Sequence, residues 1–257
     1  MIEGWQKTIY STNAVDGKPL EHDIYTKGEG PVILLIQELP GIGPQMMVLA
    51  DKIVAQGFTV VMPHLFGPIG KNSLGGNFGR VFCMRREFAL FSKDASSPIL
   101  NWLRALCKSL KDQYKVPGIG VIGMCMTGNF AISLMADDAV LASVSTQPSL
   151  PLQSAGSLHM SKSDVSEIRT ALDEKGAMLA FRFAGDKICK PPKFEALDKA
   201  FNDDKERIKL RTLKGNDHSI LTLHFMDEEG SPTVEALNEI FGYFKEKLNG
   251  AVATPRS

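Results

Sequence analysis

Residues 118–130 read GIGVIGMCMTGNF: an apolar run, a glycine, a cysteine and a further glycine ahead of a helix-like pattern. A nucleophile elbow sets its reactive side chain on a tight strand-to-helix turn, and small residues must flank it because the chain crowds itself there. Gly123-Met124-Cys125-Met126-Thr127 follows that spacing, with Thr127 in the place of the second glycine and Gly128 one residue late. A helix N-terminus aimed at the sulfur favours negative charge on it. The N–H of Met126 would then be free to hold an oxyanion. The plain alternative is a small buried cysteine, since free cysteines are often interior. The strand before and the helix after favour the nucleophile.

A nucleophile needs a base, and the base needs an orienting acid. On elbow-bearing α/β folds the chain order is nucleophile, acid, histidine. His159, His218 and His224 follow Cys125. His218 lies in KGNDHSI, in a loop just after a predicted strand, and is the candidate base; His159 and His224 read as surface or packing histidines. Asp186, in FRFAGDKICKPP, stands directly after a strand and is the candidate orienter. Asp164, Asp173, Asp198 and the Asp203–Asp204 pair read as solvated charges, and Asp217 is too close in sequence to His218 to aim at it. Glu38 follows the buried run VILLIQ and is either in the site or at its rim. The same turn offers the N–H of Leu39 as a second oxyanion donor.

These residues need a scaffold that brings strand ends together. PVILLIQ (31–37), FTVVMP (58–63) and GIGVIG (118–123) are short apolar runs predicted as buried strands, and AVLASVS (139–145), AMLAFRFAG (177–185) and ERIKLRTL (206–213) are predicted as further strands. Between and after them lie helical patterns at 43–57, 84–110 with a break near Pro98, 126–137, 163–176 with Ser163 as N-cap, 193–203 and 233–248. Alternation of this kind predicts a parallel sheet with helices on both faces, whose ligands bind at the carboxyl ends of the strands. Chemistry is therefore expected near residues 37–41, 64–80, 124–128, 186–191 and 214–222. Residues 64–80 read as a long glycine-rich loop, 146–160 as a lid-like insertion and 249–257 as a frayed tail. One domain over 1–257 is expected.

Composition narrows the function. Lys+Arg and Asp+Glu are 29 each, so the chain lacks the basic footprint of a nucleic-acid binder and of a polybasic membrane patch. No apolar stretch approaches the roughly 20 residues of a membrane span, and MIEGWQKTIYSTN has no apolar signal core. Cys83, Cys107, Cys125 and Cys189 form no CxxC pair, so reduced thiols, a cytoplasmic location and no metal site are expected. GKNSLGGNFG lacks the lysine-serine ending of a phosphate cradle. The expected partner is a small molecule.

QELPGI, GFTVVMPHLFG, the GVIG strand followed by GMCMTG, AGDKICKPP and GNDHS, in that order, resemble the dienelactone hydrolases of the α/β-hydrolase superfamily. The resemblance spans roughly residues 30–248. It implies the α/β-hydrolase fold and a triad of Cys125, Asp186 and His218. It implies that Glu38 contacts the resting thiol and helps to activate it. It implies hydrolysis of an enol-lactone by acyl transfer through a thioester, without metal or organic cofactor. Of the two arginines with which the family grips a carboxylate-bearing lactone, Arg80 is the best match for one, with Arg85 and Arg86 close by. The other is missing, because His218 is followed by Ser219-Ile220-Leu221-Thr222-Leu223. That departure argues against the dienelactone itself as substrate. Thr127 and the 146–160 segment are further departures, bearing on substrate choice more than on reaction type. The competing readings are a non-catalytic binding or regulatory protein on the same fold and a redox thiol pairing Cys125 with Cys189.

Overall fold

The computed structural model describes residues 2–13, 19–39, 41–67, 69, 97–149, 156–158 and 160–249. Eight strands form one sheet in the order β1-β2-β4-β3-β5-β6-β7-β8. They are β1 (Gln6–Asn13), β2 (Pro19–Lys27), β3 (Val32–Ile36), β4 (Thr59–Pro63), β5 (Ile119–Met124), β6 (Val140–Thr146), β7 (Met178–Phe183) and β8 (Ile208–Leu213). From β4 to β8 every neighbouring pair is parallel; β1 and β2 form an antiparallel pair joined to the β4 edge. The six expected strands are all present. The β1–β2 pair was not anticipated, because β1 lies at the sheet edge and leaves Ile9 exposed, so no buried apolar run marks it.

The central strands are buried on both faces, which is why VILLI and TVVMP carry no alternation. One face is covered by α1 (Pro44–Ala55) and α6 (Pro232–Phe244), which bring Met46, Leu49, Ile53, Leu237, Ile240 and Phe244 against the sheet. The other face is covered by α2 (Pro98–Tyr114), α3 (Gly128–Leu134), α4 (Lys162–Lys175) and α5 (Pro191–Phe201), with Trp102, Leu106, Phe130, Ile168 and Leu197 among the packed side chains. Pro98, read as a break, is the first residue of α2, where a missing N–H costs nothing. The cap of α4 is corrected: Ser161, not Ser163, accepts the N–H of Asp164 at 3.0 Å, and the Asp164 carboxylate returns the bond to the N–H of Ser161 at 2.9 Å. The S-x-x-D spacing of a capping box was present in the sequence.

Candidate active site

The corner after β5 is the local structure from which the site grows. Cys125 opens a short 3₁₀ turn, Cys125–Thr127, that runs straight into α3. Its φ is +55°, the left-handed region that a non-glycine residue enters only under strain of roughly 1–3 kcal/mol. The corner is tight because Gly123 makes room for it: a Cβ there would lie 2.3 Å from the Thr127 carbonyl oxygen and 2.8 Å from the Ala131 Cβ. Thr127, a departure expected to bear on substrate choice, stitches the corner together. Its hydroxyl accepts the N–H of Met124 at 3.0 Å, and its proton is within reach of the carbonyls of Met124, Gln37 and Ile36 at 3.0, 3.2 and 3.3 Å. The elbow is thus tied to the end of β3, where Glu38 stands.

Asp186 and His218 are brought together by the loops after β7 and β8. The N–H of Ala184 donates to Leu213 O at 2.8 Å, and that of Gly185 to Gly215 O at 2.9 Å. A Cβ at Gly185 would run into the Asn216 side-chain oxygen and come within 3.1 Å of the Asn216 Cα, so a larger residue here would displace Asn216 beside His218. Asp186 is pinned by three donors: its Oδ1 accepts the N–H groups of Ile188 at 2.7 Å and Cys189 at 2.9 Å, and its Oδ2 lies 2.7 Å from His218 Nδ1. Burial opposes its charge, yet these bonds and the facing imidazole outweigh burial and hold the carboxyl below its usual range. Burial likewise opposes the charged form of His218, but Asp186 and the neighbouring Cys125 push it up to about 10. Nδ1 is committed to Asp186, while the buried Nε2 makes no hydrogen bond of good geometry among the described residues.

The Cys125 sulfur, a Glu38 carboxylate oxygen and a ring nitrogen of His218 lie within 4.8 Å of one another. Glu38 is 2% exposed. It does not face the thiol alone: Oε2 accepts Gln147 Nε2 and Ser219 Oγ, both at 3.1 Å, and Oε1 accepts the Thr222 hydroxyl. Burial pushes the Glu38 carboxyl above its ordinary value, and the three donors offset this only in part. The stretch after His218 that lacks an arginine thus supplies two hydroxyls to Glu38. Cysteine, histidine and glutamate are also metal-ligand types, and both carboxylate oxygens of Glu38 already accept hydrogen bonds.

Four of the expected site residues, Cys125, Asp186, His218 and Glu38, therefore meet at the carboxyl ends of β5, β7, β8 and β3. Leu39 and Met126 directly follow Glu38 and Cys125, on neighbouring strand ends. Arg80, Arg85 and Arg86, His159 and Cys83 lie outside the described residues, as do 150–155 of the lid-like segment and the tail from 250. The start of that segment was underread. Gln147, at a left-handed φ of +36°, reaches Glu38, and Ser149 Oγ lies 3.5 Å from the Cys125 sulfur. A polar pair at the end of a strand in a parallel sheet was the signal available. Cys189 is buried, its thiol donates to Pro148 O at 3.2 Å, and burial together with the Asp186 charge pushes it up to about 12. His224, whose side chain is 39% exposed, accepts the N–H of Ser219 through Nδ1 at 3.0 Å.

A mostly parallel sheet covered on both faces, with a strained cysteine at the β5–α3 corner and a histidine–aspartate pair beside it, defines an α/β-hydrolase fold. The chain belongs to the dienelactone hydrolase family, which matches residues 23–248. A carboxymethylenebutenolidase of Rhodococcus opacus is 28% identical over 121 residues, a match spanning 47% of this chain and 44% of that relative. Among solved structures, a dienelactone-hydrolase-like promiscuous phosphotriesterase from metagenomic libraries superposes with a TM-score of 0.66 at 15% identity, covering 94% of this chain and 98% of the other. A dienelactone hydrolase of Anabaena variabilis superposes with a TM-score of 0.59 at 14% identity, covering 96% and 100%. At these identities the structural likeness speaks for the fold. Among the described residues no helix is long and apolar enough to cross a membrane.

Proposed function

We propose that the protein is a cysteine-dependent hydrolase of a small carboxylic ester or lactone, working through a thioester on Cys125. The observation that carries this reading is the strained, left-handed Cys125 at the strand–helix corner with the Asp186-bound imidazole beside it. Backbone strain of this kind persists where the surrounding structure holds a side chain in position for work.

The steps follow from the geometry. His218, favoured as imidazolium, stabilises the Cys125 thiolate, and Glu38, whose proton affinity burial has raised and whose carboxylate lies within 4.8 Å of the sulfur, takes the thiol proton. The sulfur attacks the carbonyl carbon; the S–C bond forms as the carbonyl electrons move onto oxygen. The N–H groups of Met126 and Leu39 hold that oxyanion. On collapse the C–O bond breaks, and His218 gives its proton to the leaving oxygen. His218 then takes a proton from water as that water attacks the thioester, and the thiolate leaves. In a lactone the leaving oxygen stays tethered to the acyl group.

A panel of small aryl esters and lactones tests this on the wild type and on Cys125→Ala. The expected result is turnover in the wild type that falls at least about 10³-fold in the variant and is lost on alkylation of one thiol, mapped to Cys125. Full activity in Cys125→Ala would sink the assignment. Absence of turnover on every ester, with Cys125 unreactive, would favour a binding protein on this fold.

A further inference from the structure

Ser149 touches the reacting atom, and none of the steps above uses it. Its hydroxyl lies 3.5 Å from the Cys125 sulfur and its side chain is buried, with 5% of the residue exposed. Its place is fixed by its main chain. The N–H of Ser149 donates to the Cys125 carbonyl at 3.1 Å, and Asn129 Nδ2 reaches both Met126 O at 3.2 Å and Ser149 O at 3.5 Å. The segment after β6 is thus clamped onto the elbow by contacts that do not involve the serine hydroxyl. The hydroxyl is left facing sulfur.

What that contact is worth depends on the sulfur's charge. A thiol is a weak donor and a weak acceptor, so a hydroxyl beside it gains little. A thiolate only accepts, and a hydrogen bond to a charged partner is roughly twice as strong as a neutral one. We propose that Ser149 is a further catalytic residue, whose hydroxyl donates to the Cys125 thiolate and, with His218, holds the sulfur for attack. As the S–C bond forms, negative charge passes from sulfur to the carbonyl oxygen and this hydrogen bond weakens. When the thioester breaks, the charge returns to sulfur and the hydroxyl receives it again. The consequence for turnover rests on Cys125 being the nucleophile of the proposed reaction; the contact itself does not.

The test is the pH profile of Cys125 alkylation by iodoacetamide, read by mass spectrometry of the Cys125 peptide, in the full chain and in Ser149→Ala and Ser149→Thr. The expected result is a profile moved to higher pH in Ser149→Ala, with the rate at pH 7 down about ten-fold and the alkaline plateau kept. Ser149→Thr, which retains a hydroxyl, keeps the wild-type profile. A Ser149→Ala profile that overlays the wild type, or a loss equal at every pH, would overturn the proposal, the second outcome marking a packing role. If the alanine variant does not fold, a threonine variant shifted to higher pH overturns it and an unshifted one supports it. Alkylation needs no turnover, so a shifted profile in a protein that cleaves no ester supports the Ser149 contact while removing the hydrolase reading.

Discussion

Each end of β8 carries a basic side chain bound to aspartate, and the two arrangements do different things. Before the strand, Arg207 is 5% exposed at its side chain and meets Asp173 and Asp204. Each of its guanidinium nitrogens is used: Nε and one terminal nitrogen on Asp173, both terminal nitrogens on Asp204, and one of them also on Phe201 O. After the strand, His218 meets Asp186 through Nδ1 only, and the buried Nε2 keeps no partner of good geometry among the described residues. A saturated cation joins β8 to α4 and to the end of α5. A half-saturated imidazole has a nitrogen left to move a proton. The difference is one of unspent hydrogen-bonding capacity, and it follows the rule that α/β sheets place chemistry at the carboxyl ends of their strands.

The comparison breaks most sharply at Asp186. Asp186→Asn keeps the shape of the side chain and removes the charge that holds His218 as imidazolium. It also removes the preference for one imidazole tautomer. Ester turnover is expected to fall about 10³-fold, with folding retained on circular dichroism. A loss of less than about ten-fold would mean that the pair is structural like its counterpart at Arg207. Arg207→Met should do the reverse: thermal denaturation shifts down by several degrees while the turnover number of the remaining folded enzyme stays at the wild-type value. Its aspartate partners lie 39% and 59% exposed, so they can return to water when the cation is gone. A large loss of turnover in Arg207→Met would show that the ends of β8 are coupled.

How much of this could be read from the chain alone follows the same division. Cys125, Asp186, His218 and Glu38 were legible because each follows a strand, and a parallel sheet turns that sequence position into a shared place in space. The groups that hold them were not. Thr222 and Ser219 reach Glu38, and Gln147 does so from a left-handed backbone that no residue pattern announces. Thr127 read as a defect in a glycine motif because two of its three hydrogen-bonding neighbours, Ile36 and Gln37, lie at the end of β3, some 90 residues away. The β1–β2 pair escaped for a simpler reason: an edge strand is marked by pairing partners, not by burial. At the ion pairs, residue type and position mark His218 as a candidate base, but that every nitrogen of Arg207 is occupied while one of His218 is not could be seen only in the structure.

The smallest expected effect is also the one that tests both ends of β8 at once, through pH. His218 is raised from an ordinary 6.5 to about 10, so its stabilising contribution is fully present below 6.5 and is lost as pH rises through about 10. Asp173 is lowered from 3.8 to about 2, chiefly by hydrogen bonds from Arg207 and Lys205, so its contribution is present above 3.8 and is lost as pH falls through about 2. Urea unfolding across pH should therefore give two opposite slopes. The stability difference between wild type and His218→Asn shrinks on the alkaline side, between 6.5 and about 10. That between wild type and Asp173→Asn shrinks on the acid side, between 3.8 and about 2, and is the smaller because the carboxylate is partly solvated. Asp186, itself held low, adds an acid-side loss that remains in Asp173→Asn and so does not blur that difference. If the His218→Asn difference were flat across the alkaline range, His218 would not be held as imidazolium, and it could neither stabilise the Cys125 thiolate nor bring the proton that the leaving oxygen takes.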